Sequence, residues 1–93
     1  MFYTYLLESE KGDFYAGFTA NLRKRIAEHN QGRNVSTKRR SWRCIYYEAC
    51  TDEEDARRRE RYFKTTDGRR ALRTRLKVYL YKSGASRNHT DGV

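Results

Sequence analysis

A positively charged residue occupies a position where the periodicity of a helix calls for an apolar side chain. Leu22, Arg25, Ile26 and His29 follow i, i+3, i+4, i+7 spacing, so they share one stripe of a helix. A buried guanidinium costs several kcal/mol unless it is paired or given a ligand, and its planar donor fork fits two oxygens of a phosphate. The alternative is an Arg25 side chain that runs along the edge of the stripe and keeps its charge in water.

A carboxylate repeats this anomaly on a second predicted helix, where Ala56, Glu60 and Phe63 follow i, i+4, i+7 spacing. Two interpretations are open on spacing alone. Glu60 forms a structural salt bridge with Arg25, or it holds a hard divalent cation such as Mg²⁺, which needs only one or two protein carboxylates.

Tyrosines of a predicted β-hairpin supply a third kind of group. If the turn is centred on Glu10, Tyr5 faces Tyr15 and Tyr3 faces Gly17, so two phenols lie side by side with room over Gly17 for a ligand or phosphate. This register depends on the turn, because a slip of one residue moves every side chain to the other face. The alternative is an aromatic cross-strand pair that only packs.

The elements that must position these groups follow from pattern and from turn residues. Strands are predicted at residues 2–7, 13–18 and 42–49. A first helix is capped by Thr19 or Asn21 and ends near residue 31, a second covers about 52–64, and a third covers 69–82 after a break at Asp67-Gly68. The third strand is apolar on both faces, so both are expected to be covered. The order predicts an α/β fold, a small, largely antiparallel sheet flanked by helices.

Length and composition limit the domain organisation and the classes of partner. The 93 residues allow one domain, predicted over 1–82, with a flexible tail over 83–93. The net charge of +9, carried mostly by arginine, favours a polyanionic partner. No apolar run predicts a membrane span or a secretory signal, so a cytoplasmic protein without membrane contact is expected. Cys44 and Cys50 are predicted to be reduced thiols, and their spacing does not suggest zinc.

Six short segments together match a known pattern. They are Tyr3-Thr4-Tyr5, Tyr15-Ala16-Gly17, Asn21-Leu22-x-x-Arg25-x-x-x-His29, Ser36-Thr37-Lys38-Arg39-Arg40, Tyr46-Tyr47-Glu48 and Ala56-x-x-x-Glu60-x-x-x-Lys64. In this order and spacing, over residues 2–80, the chain resembles the stand-alone, single-domain members of the GIY-YIG nuclease superfamily. The resemblance implies a three-stranded antiparallel sheet flanked by helices, in the order β-β-α-β-α-α, and metal-dependent cleavage of DNA strands.

The resemblance also assigns roles by position. It implies that Tyr5 and Tyr15 are the motif tyrosines, that Arg25 is the catalytic arginine, that Glu60 binds the metal, and that His29 lies in the site. Phe18 is a departure, because relatives often have a polar or basic residue after the glycine of the second motif.

The resulting hypothesis is a DNA endonuclease. Arg25 stabilises the phosphate, Glu60 holds Mg²⁺ or Mn²⁺, and Tyr5 or Tyr15, with His29, handles the nucleophilic water. Contacts to the nucleic acid are predicted for Gly17, Arg33, Lys38, Arg39, Arg40, Arg43 and Lys64. The partner is DNA of unspecified strand form, RNA is less favoured, and the chain is a monomer or weak homodimer. The alternative is a catalytically weak or inactive nucleic-acid-binding module on the same fold, which Phe18 favours.

Overall fold

The computed structural model describes residues 1–32, 37 and 40–84, which form two compact units. Met1–Arg61 is the first unit, and Tyr62–Val93 is the second, described as far as Gly84. The elements in chain order are β1 Phe2–Ser9, β2 Phe14–Thr19, α1 Leu22–Asn30, β3 Trp42–Cys50, α2 Glu53–Phe63, α3 Thr66–Arg75 and α4 Lys77–Ser83.

The sheet has three antiparallel strands in the order β2-β1-β3. The central strand, β1, is rich in aromatic and aliphatic residues and is buried without a break from Thr4 to Ser9. A strand with a neighbour on each side and helices on both faces needs such a composition. The predicted fold class, a three-stranded antiparallel sheet flanked by helices, is confirmed.

The predicted hairpin register is wrong by two residues. Tyr5 pairs with Gly17, and Leu7 pairs with Tyr15. The turn differs because the Ser9 hydroxyl accepts hydrogen bonds from the backbone N–H groups of Lys11 and Asp13, which carries β1 two residues further than predicted. Since the slip is even, Tyr5 and Tyr15 still point to the same face of the sheet.

The two faces of the sheet are covered by different helices. On the face of Tyr5 and Leu7, the buried side chains form a cluster with Trp42, against which residues of α1 pack. On the opposite face, the buried Thr4 hydroxyl donates a 2.7 Å hydrogen bond to the carbonyl of Ala56 in α2.

Both ends of α1 are fixed by asparagines. The Asn21 side chain accepts a hydrogen bond from the backbone N–H of Lys24, so the predicted cap is confirmed. At the other end, the Asn30 amide makes hydrogen bonds of 2.7 and 2.8 Å with the backbone N–H and carbonyl of Trp42. This pair ties the end of α1 to the start of β3.

The expectation that both faces of β3 are covered is wrong. β3 lies at an edge of the sheet, and Tyr47 at its middle is 56% exposed. Cys44 of the same strand packs against the core cluster, and both Cys44 and Cys50 are free thiols.

The second unit contains two helices where the sequence predicted one helix over 69–82. α3 begins at Thr66, because the Thr65 hydroxyl accepts a hydrogen bond from the N–H of Gly68, so Asp67-Gly68 lies in its first turn. Gly68 is needed there for space, since a Cβ would collide with the carbonyl of Tyr62. A short break at Leu76 separates α3 from α4.

The predicted apolar stripe of this region survives the break. Leu72 and Leu80 are buried, and Leu76 and Tyr79 are half-buried. Among the described residues, no helix is long and apolar enough to cross a bilayer. Residues 85–93, most of the predicted tail, lie outside the described part, and Ser83 is the last residue of α4.

Candidate active site

A buried hydrogen-bonded chain connects α1, β1 and residue 37. The His29 side chain is fully buried, its Nε2 lies 2.8 Å from the Tyr5 hydroxyl, and its Nδ1 lies 2.7 Å from the Thr37 hydroxyl. The carbonyl of Thr37 accepts a 2.8 Å hydrogen bond from the Trp42 indole. Both ring nitrogens of His29 are therefore satisfied, and Tyr5 is held in one orientation.

The environment keeps both ends of the histidine–tyrosine pair neutral. Burial, with a further contribution from the positive charge of Arg25, lowers the pKa of His29 to about 4. Burial raises the pKa of Tyr5 to about 12, although the Arg25 guanidinium acts in the opposite direction. At neutral pH, His29 is an uncharged imidazole and Tyr5 keeps its proton.

Arg25 occupies the position that its spacing predicted, on the same side of α1 as His29. Its guanidinium donates a 3.1 Å hydrogen bond to the Glu28 carboxylate, and its side chain remains 30% exposed. The guanidinium is also close enough to the Tyr5 hydroxyl for hydrogen bonding to affect both pKa values. Arg25 thus lies at the edge of the buried chain with part of its surface open to a ligand.

Tyr15 and Glu60 also lie within electrostatic range of the Tyr5 hydroxyl, and both raise its pKa. The Tyr15 ring meets the His29 ring edge to face, with centroids 5.0 Å apart. Tyr15 and Glu60 are half-buried, in contrast to Tyr5. Of the other predicted catalytic residues, His29 contacts the Tyr5 hydroxyl, Tyr15 packs against His29, Arg25 lies near the Tyr5 hydroxyl, and Glu60 acts on that hydroxyl through its charge. Tyr15, Arg25 and Glu60 retain solvent access.

The prediction of open space over Gly17 is wrong. A Cβ at this position would collide with the hydroxyl and ring of Tyr5, its partner across the strands. Gly17 therefore makes room for the Tyr5 ring, and a phosphate does not fit there. In the observed register, the packing of the Tyr5 ring therefore explains why the second motif has a glycine at this position.

Phe18 lies on the opposite face of the sheet from Tyr5, because it pairs with Thr4. Its ring stacks with Phe2 and carries the Arg57 guanidinium 4.3 Å above its centroid. The departure from the family pattern is thus accommodated by packing on the α2 side of the sheet.

The predicted contacts to nucleic acid are only partly described. Arg33, Lys38 and Arg39 lie outside the described residues. Arg40 forms an ion pair with Asp13. Arg43 lies 3.6 Å from a Glu8 carboxylate oxygen, with its own side chain mostly exposed. Lys64 is exposed in the second unit.

Sequence reasoning missed the residues that support the site. Glu28 pairs with Arg25, Thr37 holds His29, and Asn30 and Trp42 hold the backbone around them. Thr37 stands in one of the quoted motif segments, but no periodicity links a loop residue to a histidine eight positions earlier. Glu28 lies at i+3 from Arg25 on α1, so that pairing is visible in the spacing.

The donor chemistry permits a metal with few protein ligands. Among the described residues, no three His, Cys, Asp or Glu side chains form a metal-binding cluster. Mg²⁺ and similar hard cations commonly take one or two carboxylates and complete their shell with water and substrate phosphates. Glu60 is a half-buried carboxylate whose charge acts on the Tyr5 hydroxyl, so it can supply such a carboxylate ligand.

Comparison with protein families decides the assignment of this arrangement. The model of the GIY-YIG catalytic domain matches residues 1–75. This chain belongs to the GIY-YIG family. The GIY-YIG match covers the sheet, α1, α2 and α3, and so includes every residue described above around Tyr5.

Curated relatives agree with the GIY-YIG assignment along most of the chain. A UPF0213 protein of Pediococcus acidilactici is 34% identical over 87 residues, which cover 89% of this chain and 84% of the relative. A UPF0213 protein of Lacticaseibacillus paracasei is 37% identical over 65 residues, covering 68% and 73%. One of Bacillus pumilus is 35% identical over 65 residues, covering 68% and 66%. No solved structure matches the chain.

The GIY-YIG domain has a nuclease-type fold, which implies a nucleic acid substrate, and GIY-YIG nucleases are generally metal-dependent. The names of the relatives specify no substrate or metal.

Proposed function

We propose that this GIY-YIG protein is a metal-dependent DNA endonuclease that hydrolyses phosphodiester bonds. The observation that carries the proposal is the buried Tyr5–His29–Thr37 chain, with the partly exposed Tyr15 ring against His29 and the partly exposed Arg25 on the same helix as His29. The charge of Glu60 on α2 also acts on the Tyr5 hydroxyl. A guanidinium, a phenol and a carboxylate are the groups needed to bind a phosphate, accept a proton from water and hold a divalent cation.

Arg25 binds a non-bridging oxygen of the scissile phosphate. Its guanidinium is held at one side by Glu28 and remains partly exposed at the other. Charge-assisted hydrogen bonds strengthen as negative charge develops on the pentavalent phosphate, so they act on the transition state more than on the bound substrate. Glu28 acts through Arg25 and is a positioning residue.

Glu60 would hold Mg²⁺ or Mn²⁺ in this site. When bound, the cation supplies Lewis-acid charge at the phosphate and at the leaving oxygen. Glu60 lies close enough to Tyr5 to raise the pKa of its phenol, so the carboxylate charge acts within the same site as Arg25.

Of the two motif phenols, Tyr15 is the one that, in its phenolate form, accepts the proton of the attacking water and becomes a neutral phenol. Tyr5 is fully buried and its pKa of about 12 keeps its proton in place, whereas Tyr15 is half-buried. Tyr5 and neutral His29 then have a different role. Together with Thr37 they form a buried hydrogen-bonded chain that positions Arg25 and Tyr15.

In this reaction the water oxygen forms a bond to phosphorus while the bond from phosphorus to the 3′ oxygen breaks, and the leaving 3′ oxygen takes a proton from solvent water. The products are a 5′-phosphate and a 3′-hydroxyl. Exposed basic groups around the site, such as Arg43, bind the backbone through charge and give affinity without sequence information.

The experiment is a cleavage assay on single-stranded, duplex and branched DNA of one sequence, with Mg²⁺, with Mn²⁺ and with EDTA. We expect cutting that needs the metal and falls at least about a hundredfold in Arg25→Ala. Lys24→Ala, an exposed neighbour on α1, is the matched control and should cut like the wild type. Cutting that persists in EDTA contradicts metal dependence, and tight, salt-sensitive binding without cutting of any substrate supports the binding-module alternative instead.

A further inference from the structure

An open groove lies between α1 and β3 on the sheet face that carries Tyr5. It consists of two adjoining depressions of about 370 and 450 Å³, which share Leu22, Ile26 and Tyr47. Tyr3 and Arg23 line the larger one. We refer to the two depressions together as the Tyr47 groove. None of the residues assigned above to phosphate, water or metal lines it.

We propose that the Tyr47 groove binds one unpaired nucleobase of the DNA substrate beside the scissile phosphate, stacked on the ring of Tyr47. This proposal rests on the proposed function and names the strand form that the site accepts. A DNA strand with an unstacked nucleotide, whether single-stranded, frayed or branched, is then the substrate, and an intact duplex is not.

The aromatic ring has the properties of a stacking platform. Tyr47 is 56% exposed although it is a large aromatic residue in the middle of a strand. It makes an edge-to-face contact with Tyr3, with ring centroids 6.0 Å apart, which favours one orientation of the ring. Base stacking on an aromatic side chain contributes about 1–3 kcal/mol.

The size and charge of the Tyr47 groove favour a single nucleotide as its ligand. A cavity of about 450 Å³ is in the range for a small-molecule or single-nucleotide ligand, and the apolar floor of Leu22 and Ile26 suits a flat, weakly polar ring. Arg23 at the rim is a partner for the phosphate of the same nucleotide, and none of the described residues that line the groove is acidic. A peptide or a second copy of the chain has no such need for a cation at the rim.

The position of the groove connects it with the catalytic groups. Tyr3 and Tyr5 are two residues apart on β1 and point to the same face, with their Cα atoms about 7 Å apart, and Tyr47 is the partner of Tyr5 across the strands. In an intact duplex both faces of each base are covered by its neighbours, and a base reaches an external aromatic platform only by leaving the stack. The geometry therefore selects for unpaired nucleotides next to the cut.

The test is a binding measurement in EDTA, which removes cleavage from the readout. Single-stranded and duplex oligonucleotides carrying 2-aminopurine are titrated with the full-length protein at fixed ionic strength. We expect Tyr47→Ala to weaken single-strand binding by about fivefold to a hundredfold, corresponding to the loss of one stacked base. Duplex binding should stay within about twofold of wild type, and the 2-aminopurine signal on binding should be lost.

Two further variants make the result specific. Tyr47→Phe keeps the ring and should restore binding. Tyr81→Ala removes a tyrosine that is 70% exposed on α4 and does not line the groove, and it should change nothing.

An equal loss of affinity for both strand forms, or no loss for either, overturns the proposal. A sedimentation experiment in which Tyr47→Ala converts dimers to monomers without altering DNA affinity assigns the groove to a second copy and also overturns it. Failure of the proposed function is read separately, in the cleavage assay with Mg²⁺ or Mn²⁺, where the wild type then cuts no DNA whatever the effect of Tyr47→Ala on binding.

Discussion

Protonation of a buried histidine should make this protein sensitive to mild acid. The pKa of His29 is lowered from 6.5 to about 4 by burial and by the nearby charge of Arg25. Between these two values the unfolded chain binds a proton at this position and the folded chain does not, so the free energy of unfolding falls as pH decreases from 6.5 towards 4.

The size of the effect follows from about 1.4 kcal/mol for each pKa unit. A shift from 6.5 to about 4 corresponds to about 3 kcal/mol over the whole window, and to about 2 kcal/mol between pH 7 and pH 5. The upper half of the window is diagnostic, because ordinary carboxylates with pKa values near 4 remain ionised there. For a domain stabilised by about 5–15 kcal/mol in total, this loss is large.

The assay is urea denaturation between pH 7 and pH 5, followed by the fluorescence of Trp42, the single tryptophan of the chain. An NMR titration of the histidine rings reports the pKa directly, with His89→Gln used to assign the two signals. A ring signal of His29 that titrates near 6.5 in the folded protein refutes the argument, and so does a free energy of unfolding that is constant between pH 7 and pH 5.

Three substitutions test the packing around the site. Thr37→Val should destabilise the protein by about 1–3 kcal/mol, because it leaves a buried ring nitrogen without a partner, whereas Thr37→Ser should retain most of the stability; denaturation midpoints compare the two. Gly17→Ala should abolish cleavage and lower the melting temperature, since its Cβ displaces the Tyr5 ring, and wild-type activity in this variant would show that the ring is free to move. Thr4→Val should cost about 1 kcal/mol by removing the buried hydrogen bond to the carbonyl of Ala56, with DNA cleavage per folded molecule unchanged.

The sheet is predictable from sequence because each strand carries its own signal. β1 and β3 are rich in aromatic and aliphatic residues, and the Asn21 cap marks the start of α1. The hairpin register is not predictable in the same way, because it depends on hydrogen bonds of the Ser9 side chain inside the turn. A turn residue two positions beyond the expected strand end moves every cross-strand pair.

The helix boundaries of the second unit were also not predictable from the local sequence. Glycine is typical of a helix end, yet Gly68 lies in the first turn of α3. A glycine is needed there because the backbone of Tyr62 passes too close to Gly68 to leave room for a Cβ. Close approach of two backbone segments is a tertiary property, so the local preference of Asp67-Gly68 for a helix break predicted the wrong start for the helix.

The candidate catalytic residues can be identified in the sequence because each places a polar side chain, which is costly to bury, on an apolar helix face. Arg25, His29 and Glu60 each interrupt an apolar stripe, and a polar residue in such a place needs an explanation. Periodicity does not identify their partners. Arg25 pairs with Glu28 on its own helix, and His29 is held by Thr37, which lies between α1 and β3 in the chain.

The central claim, that a carboxylate on α2 supports hydrolysis of a DNA phosphodiester, is tested most directly by Glu60→Gln. This substitution keeps the shape of the side chain and removes its charge. Glu54→Gln, at an exposed ion pair with Arg61 on the same helix, is the matched control. We predict that Glu60→Gln binds DNA within about twofold of the wild type and cuts it at least about a hundredfold more slowly, while Glu54→Gln does both normally. Unchanged cleavage by Glu60→Gln in the presence of Mg²⁺ or Mn²⁺ would contradict the account.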